Sequence, residues 1–499
     1  MLVLATALSC TARKEVDLGT QTFRVDVLLV NGADPPAPDA PLPANTGKTN
    51  EVWQISVEAI DPGGDPGAFD GFVRIDVQPG AVVSVVNDTG ENIGRNLRLT
   101  GGKATATVTV TAVYGETRLW VEDLGYAPTP PGEVPECANG KNDDDDDDVL
   151  VDFPNDPGCA FSDDDSEESS QFAAGTSPPV HYALPSVQDV QGGASTTPFP
   201  YEAIQVNTTD EHELIVTRVA KDGFYVTDLS GQATGYNHLF AFNFSTPRGM
   251  RVCDRVTYLS GTVVEFFGFT ELSFPSYDVQ PLFAGDEENC RVPDPVVLGY
   301  DTIQSAVAME QLESALVRIE DFVVPAFFGP KPAINNVFGE DQSNCDLNGD
   351  GRVDFQSDAE AVCANECNAN PGCSEWSSYV QRGNYKVSKI ELDDEGMPLP
   401  VVMIQVNTDG AANFTPTAAR GATLTAVTGT MRNFSGGSLN WTVEARCVDD
   451  VICDQPGCAL DPVAKAEDPN TTTLATAPIG PKSACVSLRT IGDNDDQTN

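Results

Sequence analysis

Positive charge is what this chain has least of: 28 Lys and Arg stand against 75 Asp and Glu in 499 residues, a formal net charge of −47. Such a chain repels phosphate backbones and anionic headgroups, which argues against non-specific binding to nucleic acid or membrane surfaces. Histidine is nearly missing as well, with only His181, His212 and His238. No apolar run reaches the ~18–20 residues that a membrane-crossing helix needs, and long stretches of helical periodicity are scarce. Hydrophobic residues nevertheless make up 40% of the chain, so it has the material for real cores. Its length predicts about three modules. Abundant Thr, Val and Gly with frequent Pro read as a mostly β fold.

Enzyme signatures fail at the residue that matters. His212-Glu213 opens like a metalloprotease helix, but Val216 stands where the second His is required. Gly47-Lys48-Thr49 ends like a phosphate loop, yet Leu42 replaces the leading Gly. No Gly-x-Ser-x-Gly occurs. The expectation is a protein that is not an enzyme.

The thirteen cysteines are Cys10, Cys137, Cys159, Cys253, Cys290, Cys345, Cys363, Cys367, Cys373, Cys447, Cys453, Cys458 and Cys485. Leu2 to Leu8 is a short apolar run ending in Ser9-Cys10, without a preceding Lys or Arg. It resembles the tail of a lipoprotein signal peptide, in which such a Cys is lipidated, with a plain secretory signal as the other reading. Setting Cys10 aside leaves twelve, the even number that six disulfides require. The cluster Cys363, Cys367 and Cys373 has no His nearby and no zinc-ribbon spacing, so disulfides in an oxidising compartment are preferred to zinc.

Along the chain, residues 1–10 read as the signal, 11–21 as a tether and 22–125 as a β-sandwich. Phe23, Val25 and Val27 alternate with Arg24 and Asp26, and Lys103 to Val113 alternates Ala and Val with Thr, the mark of half-buried strands. With the following Glu116 to Glu122, this resembles the closing hairpin of bacterial immunoglobulin-like domains. Residues 126–198 read as a Pro-rich, then acidic linker. Residues 199–298 carry Gly223 to Asp228 (GFYVTD), Arg255 to Glu265 (RVTYLSGTVVE) and Thr270-Glu271-Leu272. They are similar to the OB-fold domains that accompany extracellular bacterial nucleases, which implies a small β-barrel. Residues 299–460 resemble a second, divergent copy, with Leu312 to Glu320, Gly421 to Gly429 and Asn440 to Asp450 as its end strands and a Cys-rich insertion at 340–385. Residues 461–499 read as a flexible tail. The expected fold is mostly β: an Ig-like sandwich, then two OB-like barrels with a disulfide-rich calcium-loop insertion.

Two acidic loops predict calcium as the cofactor. In the insertion, Asp346, Asn348 and Asp350 occupy positions 1, 3 and 5 of a loop whose sixth residue is Gly351. Arg352 supplies the backbone carbonyl and Asp354 stands at position 9, a pattern that offers the oxygens calcium prefers. This resembles an EF-hand or dockerin loop, except that Ser357 holds position 12 and Asp358 follows one place late. In the linker, Asp144, Asp146, Asp148, Leu150 and Asp152 fill the same positions with Val149 in place of Gly. That segment, bracketed by Cys137 and Cys159, resembles acidic calcium repeats of secreted myxobacterial proteins.

The aromatic residues Phe224, Tyr225, Phe240, Phe242, Phe244, Phe266, Phe267 and Phe269 offer stacking surfaces for bases, but a small barrel also fills itself with such side chains. Residues 199–295 hold 14 acids against 6 Lys and Arg, the wrong sign for a phosphate-tracking groove. The expected function is a calcium-binding display or interaction lipoprotein of the cell envelope. It would sit at the outer membrane, periplasmic or surface-exposed, or else be secreted, with an unidentified protein or glycan partner and only a lipid anchor in the membrane. The second reading is an accessory subunit, for nucleic acid or glycan, of an extracellular nuclease or hydrolase system.

Overall fold

In the computed structural model, the period-2 stretch at Lys103–Thr111 is a strand with Ala106, Val108 and Val110 buried between outward threonines. The structure describes residues 21–324, 382–453 and 485–486, apart from 62, 64–65, 67–68, 70, 128, 144–148, 157, 160, 168–171, 232–234, 284–285, 287–288, 417–418, 420 and 436–439. The chain divides into two units, at Leu184 and Pro185.

The first unit is built from β1 (Thr22–Val30), β2 (Glu51–Ile60), β3 (Gly71–Gln78), β4 (Ala81–Asn87), β5 (Asn96–Leu99), β6 (Lys103–Thr111), β7 (Glu116–Asp123), β8 (Gly175–Thr176) and β9 (Val180–His181). One sheet runs β1-β2-β6-β4 and the other β5-β3-β7-β8, with β9 also on β7, and every pairing between named strands is antiparallel. Inward residues of both sheets, among them Val25, Trp53, Ile75, Leu97, Val108 and Leu119, form one core. β8 and β9 come from the stretch read as linker. They bring Phe172, Val180 and Tyr182 into that core, where the Trp53 indole donates to Tyr182 Oη at 3.2 Å.

The second unit holds two closed five-stranded barrels. The first is preceded by α1 (Val187–Gln191) and the edge strand β10 (Ala203–Gln205). Its ring is β11 (Leu214–Ala220), β12 (Gly223–Asp228), β13 (His238–Phe242), β15 (Thr270–Gln280) and β14 (Arg255–Glu265), returning to β11. After β16 (Val296–Val297), α2 (Tyr300–Gln304) and α3 (Ala306–Gln311), the second ring is β17 (Leu316–Val323), β18 (Asn384–Lys389), β19 (Val402–Asn407), β21 (Thr442–Glu444) and β20 (Thr423–Arg432), closing on β17, with β22 (Val451–Ile452) beside β20. Both rings join their strands in the order first, second, third, fifth, fourth. Both make one parallel pairing inside the ring, third to fifth.

The barrels are joined by charge as well as by apolar contact. Ile215, Val252, Cys253 and Val292 of the first pack with Leu316 of the second and with Val486. Arg218 reaches from the first barrel to Glu444 and Thr430 of the second at 2.7 Å each, and Arg432 reaches back to Asp222 at 3.3 Å. The Arg432 guanidinium also lies over the Phe240 and Phe269 rings, 4.8 and 5.3 Å from their centroids. Arg446, paired with Asp450 at 2.9 Å, donates to Thr217 O across the joint. Disulfides Cys137–Cys159, Cys253–Cys290 and Cys447–Cys485 lie among the described residues.

Candidate functional site

The acidic loop between Cys137 and Cys159 is ordered by carboxylates that cap backbone amides. Asp152 accepts from Gly140 N with both oxygens, at 3.0 and 2.9 Å. Glu167 accepts from Asp152 N at 3.1 Å and from Asp143 N, so one side chain holds both ends of the acidic run. Asp164 Oδ1 takes Ala127 N at 2.8 Å, and Asp156 Oδ1 takes Gly158 N at 2.7 Å. Asp156, Asp164 and Glu167 are 2%, 0% and 1% exposed, which for carboxylates demands compensation. Asp156 Oδ2 is buried and has no partner among the described residues. A Cβ at Gly158 would lie 1.5 Å from Glu167 O and 3.1 Å from Asp156 Oδ1, so the close approach there requires glycine.

Set against the sequence reading, Asp152 is a backbone cap and Leu150 is 39% exposed. Asp144, Asp146 and Asp148 lie outside the described residues, as do Asp346, Asn348, Asp350, Arg352, Asp354, Asp358 and Cys10. Among the described residues no group of three His, Cys, Asp or Glu side chains is gathered to hold a metal ion. The orphaned Asp156 oxygen is a hard donor of the kind calcium takes. The sequence pointed at the acidic run and passed over Asp156, Asp164 and Glu167, whose irregular spacing carries no loop signature.

The aromatic residues of the first barrel divide cleanly. Phe224, Tyr225, Phe240 and Phe269 are wholly buried and fill the barrel. Phe244 and Phe267 are 68% and 60% exposed, and Phe266 is also at the surface. Phe244 packs between Phe242 and Phe274, with ring centroids 4.3 and 5.5 Å away. Phe266 and Phe267 meet Phe434 of the second barrel, each at 5.1 Å, the latter stacked. Those two segments are the same connection in the two barrels, fourth strand to fifth, and Asn433 Nδ2 ties them by donating to Gly268 O at 2.9 Å. Phe244, Phe267 and Phe274 all have φ near +54°, from 53° to 54°. For a bulky side chain this is a strained backbone state that surrounding structure must hold in place.

One constellation imitates a catalytic triad. His212 Nδ1 lies 2.8 Å from Asp228 Oδ2 and 3.1 Å from Ser230 Oγ, while Ser230 Oγ donates to Asp228 Oδ1 at 2.6 Å. Activation of a serine needs its hydroxyl on one imidazole nitrogen and the carboxylate on the other. Here both engage Nδ1, and the three residues staple a turn. No family model, curated protein or solved structure matches the chain.

Proposed function

We propose that this chain is a non-catalytic binding protein of the bacterial cell envelope, exported and lipid-tethered through Cys10. In this reading its two barrels are OB-like and present an aromatic surface to a glycan or protein partner. Their strand order, with third and fifth strands parallel, supports the OB-like assignment, and the two-sheet first unit is the Ig-like module. The observation that carries the function is the Phe266, Phe267 and Phe434 cluster, contributed jointly by the fourth-to-fifth-strand connections of both barrels. In OB folds that connection borders the binding face. Calcium is its cofactor, with Asp156 as a ligand in the linker loop and the 346–358 loop as a second site.

A neutral glycan or a protein suits this surface better than nucleic acid, since the first barrel region carries 14 acids against 6 cations. The test is binding of the intact chain to an array of bacterial envelope glycans and to purified envelope proteins, beside Phe267→Ser with Phe434→Ser. Retained fold with a binding loss of tenfold or more is the expected result. Undiminished binding by the double variant overturns the assignment of this surface. Salt-sensitive micromolar binding to single-stranded DNA by the wild type would favour the nuclease-accessory reading.

A further inference from the structure

Where the first barrel hands over to the second, Glu265, Glu310 and Glu313 come close enough for the charges of the first two to raise the proton affinity of the third. Glu313 follows α3 and is 1% exposed. Its Oε1 accepts from Thr270 N, the first residue of β15, at 2.9 Å. Thr270 Oγ1 donates in turn to Glu265 Oε1 at 2.5 Å, and Thr197 N donates to the same oxygen at 2.9 Å. Two carboxylates from different parts of the chain therefore hang on one threonine. The second oxygen of each, Glu265 Oε2 and Glu313 Oε2, is buried and has no partner among the described residues. An ionised Glu313 left in this way would carry the cost of burial plus repulsion from its acidic neighbours.

We infer that Glu313 is held as a neutral carboxylic acid, forming a one-proton latch at the joint between the barrels. A proton on Glu313 removes the charge that burial penalises. Calcium would instead call for six to eight oxygens. Around Glu313, α3 contributes Glu310 and α1 the uncharged Gln191, whose bond to Glu313 acts against burial by lowering the Glu313 pKa and whose Nε2 donates to His238 O at 2.6 Å. The His238 ring itself is engaged with Thr227 Oγ1 at 2.8 Å. Asp189 of α1 is taken up in that helix's own cap with Ser186, and Glu271 of β15 bonds Ser273. The Tyr236 hydroxyl is raised above its ordinary value by burial and then by Glu310. Burial first, then the charges of Glu310 and Glu265, push Glu313 well above the ordinary carboxylate range. Burial and the Glu265 charge push Glu310 up to about 7.

The latch sits at a mechanical junction. Ser314 N, the next residue, donates to Met431 O of β20 at 2.9 Å, and Gln311 O accepts from Tyr236 N at 3.2 Å. Ionising Glu313 therefore loads the segment that sets the start of β17 against the first barrel. Because its folded value is raised, the folded state holds a proton that the unfolded state gives up. Stability is thus fullest below the ordinary value of 4.5 and falls as pH rises towards the folded value, by about tenfold in the folding constant per pH unit.

Intact wild type and Glu313→Gln, an isostere that keeps one acceptor and supplies a permanent donor, should be compared by denaturant unfolding from pH 5 to 9. The variant is expected to lose the extra decline in folding constant shown by wild type. Glu310→Gln should remove the part of the decline that falls between the ordinary 4.5 and about 7, and soften the rest by taking away a charge that raises Glu313. Infrared difference spectra at pH 7 should contain a protonated-carboxyl stretch in wild type that Glu313→Gln lacks. Equal pH slopes in wild type and Glu313→Gln, or no such stretch, overturn the latch. So would calcium at pH 8 that stabilises wild type but not Glu313→Gln, which would put a cation in the proton's place.

Discussion

Replacing Glu444 with Gln should loosen the two barrels by an amount that the structure allows to be worked out. Glu444 is 6% exposed and accepts from Arg218 at 2.7 Å, with Arg432 at 4.0 Å and the Ser435 hydroxyl also upon it. Burial acts to raise its pKa, but Arg218, Arg432 and the hydrogen bonds outweigh burial and hold it below the ordinary 4.5. Removing the charge leaves two guanidiniums facing each other, with Asp222 as the remaining carboxylate on Arg432. Breaking a buried pair from one side costs about 3–5 kcal/mol. The arginine side chains keep 14% and 13% of their exposure, so the lower end, about 3 kcal/mol, applies here. At roughly 2–4 °C per kcal/mol for a unit of this size, the melting temperature should fall by about 6–12 °C.

The sign with pH is fixed by the lowered value. The carboxylate's contribution is present above pH 4.5 and is lost as pH falls through the folded value, so wild type and Glu444→Gln should converge on acidification. Calorimetric melts of wild type, Glu444→Gln, Arg218→Met and the double variant at pH 4 and pH 7 form a cycle whose coupling term isolates the pair. The double variant should recover much of the single losses, because a buried ion pair is often replaceable by apolar packing. A coupling below about 1 kcal/mol at pH 7, the size of an exposed pair, would refute the reasoning.

Three further outcomes are expected. Gly223→Ala should destabilise the first barrel by more than about 2 kcal/mol in urea titrations, since φ is +155° and a Cβ there would sit 2.0 Å from Ala241 O. Replacing Cys447 and Cys485 with Ser opens a link of 38 residues and should cost about 4 kcal/mol by the chain-entropy relation, read from the urea midpoint. Calorimetric calcium titration of the intact chain should show uptake, with Asp156→Asn removing the part that belongs to the linker loop and leaving the rest. No uptake at all by wild type would reduce both acidic loops to solvated turns.

What could be read in the sequence was what is periodic. β6 and β7 announce themselves because one face is buried and the other solvated, which writes the period into the residues. β8 and β9 are two residues each, too short to carry a period, so the closing edge of the first unit was hidden in a Pro-rich stretch. The barrel aromatics were legible as a set but not as two sets. Phe266, Phe267 and Phe269 look alike in sequence, and only the turn back into β15 buries Phe269 while leaving the other two outside. Glu265 and Glu313 lie far apart in the chain, and their convergence on Thr270 depends on how the segment after α3 packs. The run of aspartates drew attention by density, whereas the carboxylates that organise that loop are single residues placed by the fold.

The scarcity of cations gives the joint between the barrels its significance. A chain with only 28 Lys and Arg against 75 acids keeps Arg218, Arg432 and Arg446 almost entirely out of water, where they do little to offset the charge of the exposed acids. Burying guanidiniums is poor economy if stability alone is the gain, since apolar residues of similar volume do as well. What the arginines add is direction. Each has its carboxylate, carbonyl or ring at a set place across or beside the joint, so the barrels have one way to meet. That single arrangement is what brings Phe434 against Phe266 and Phe267. Disruption of Arg218 and Glu444 should therefore separate the shared aromatic cluster while each barrel keeps its own core, and the link between the proposed surface and the joint is testable at Phe434 by the same variants.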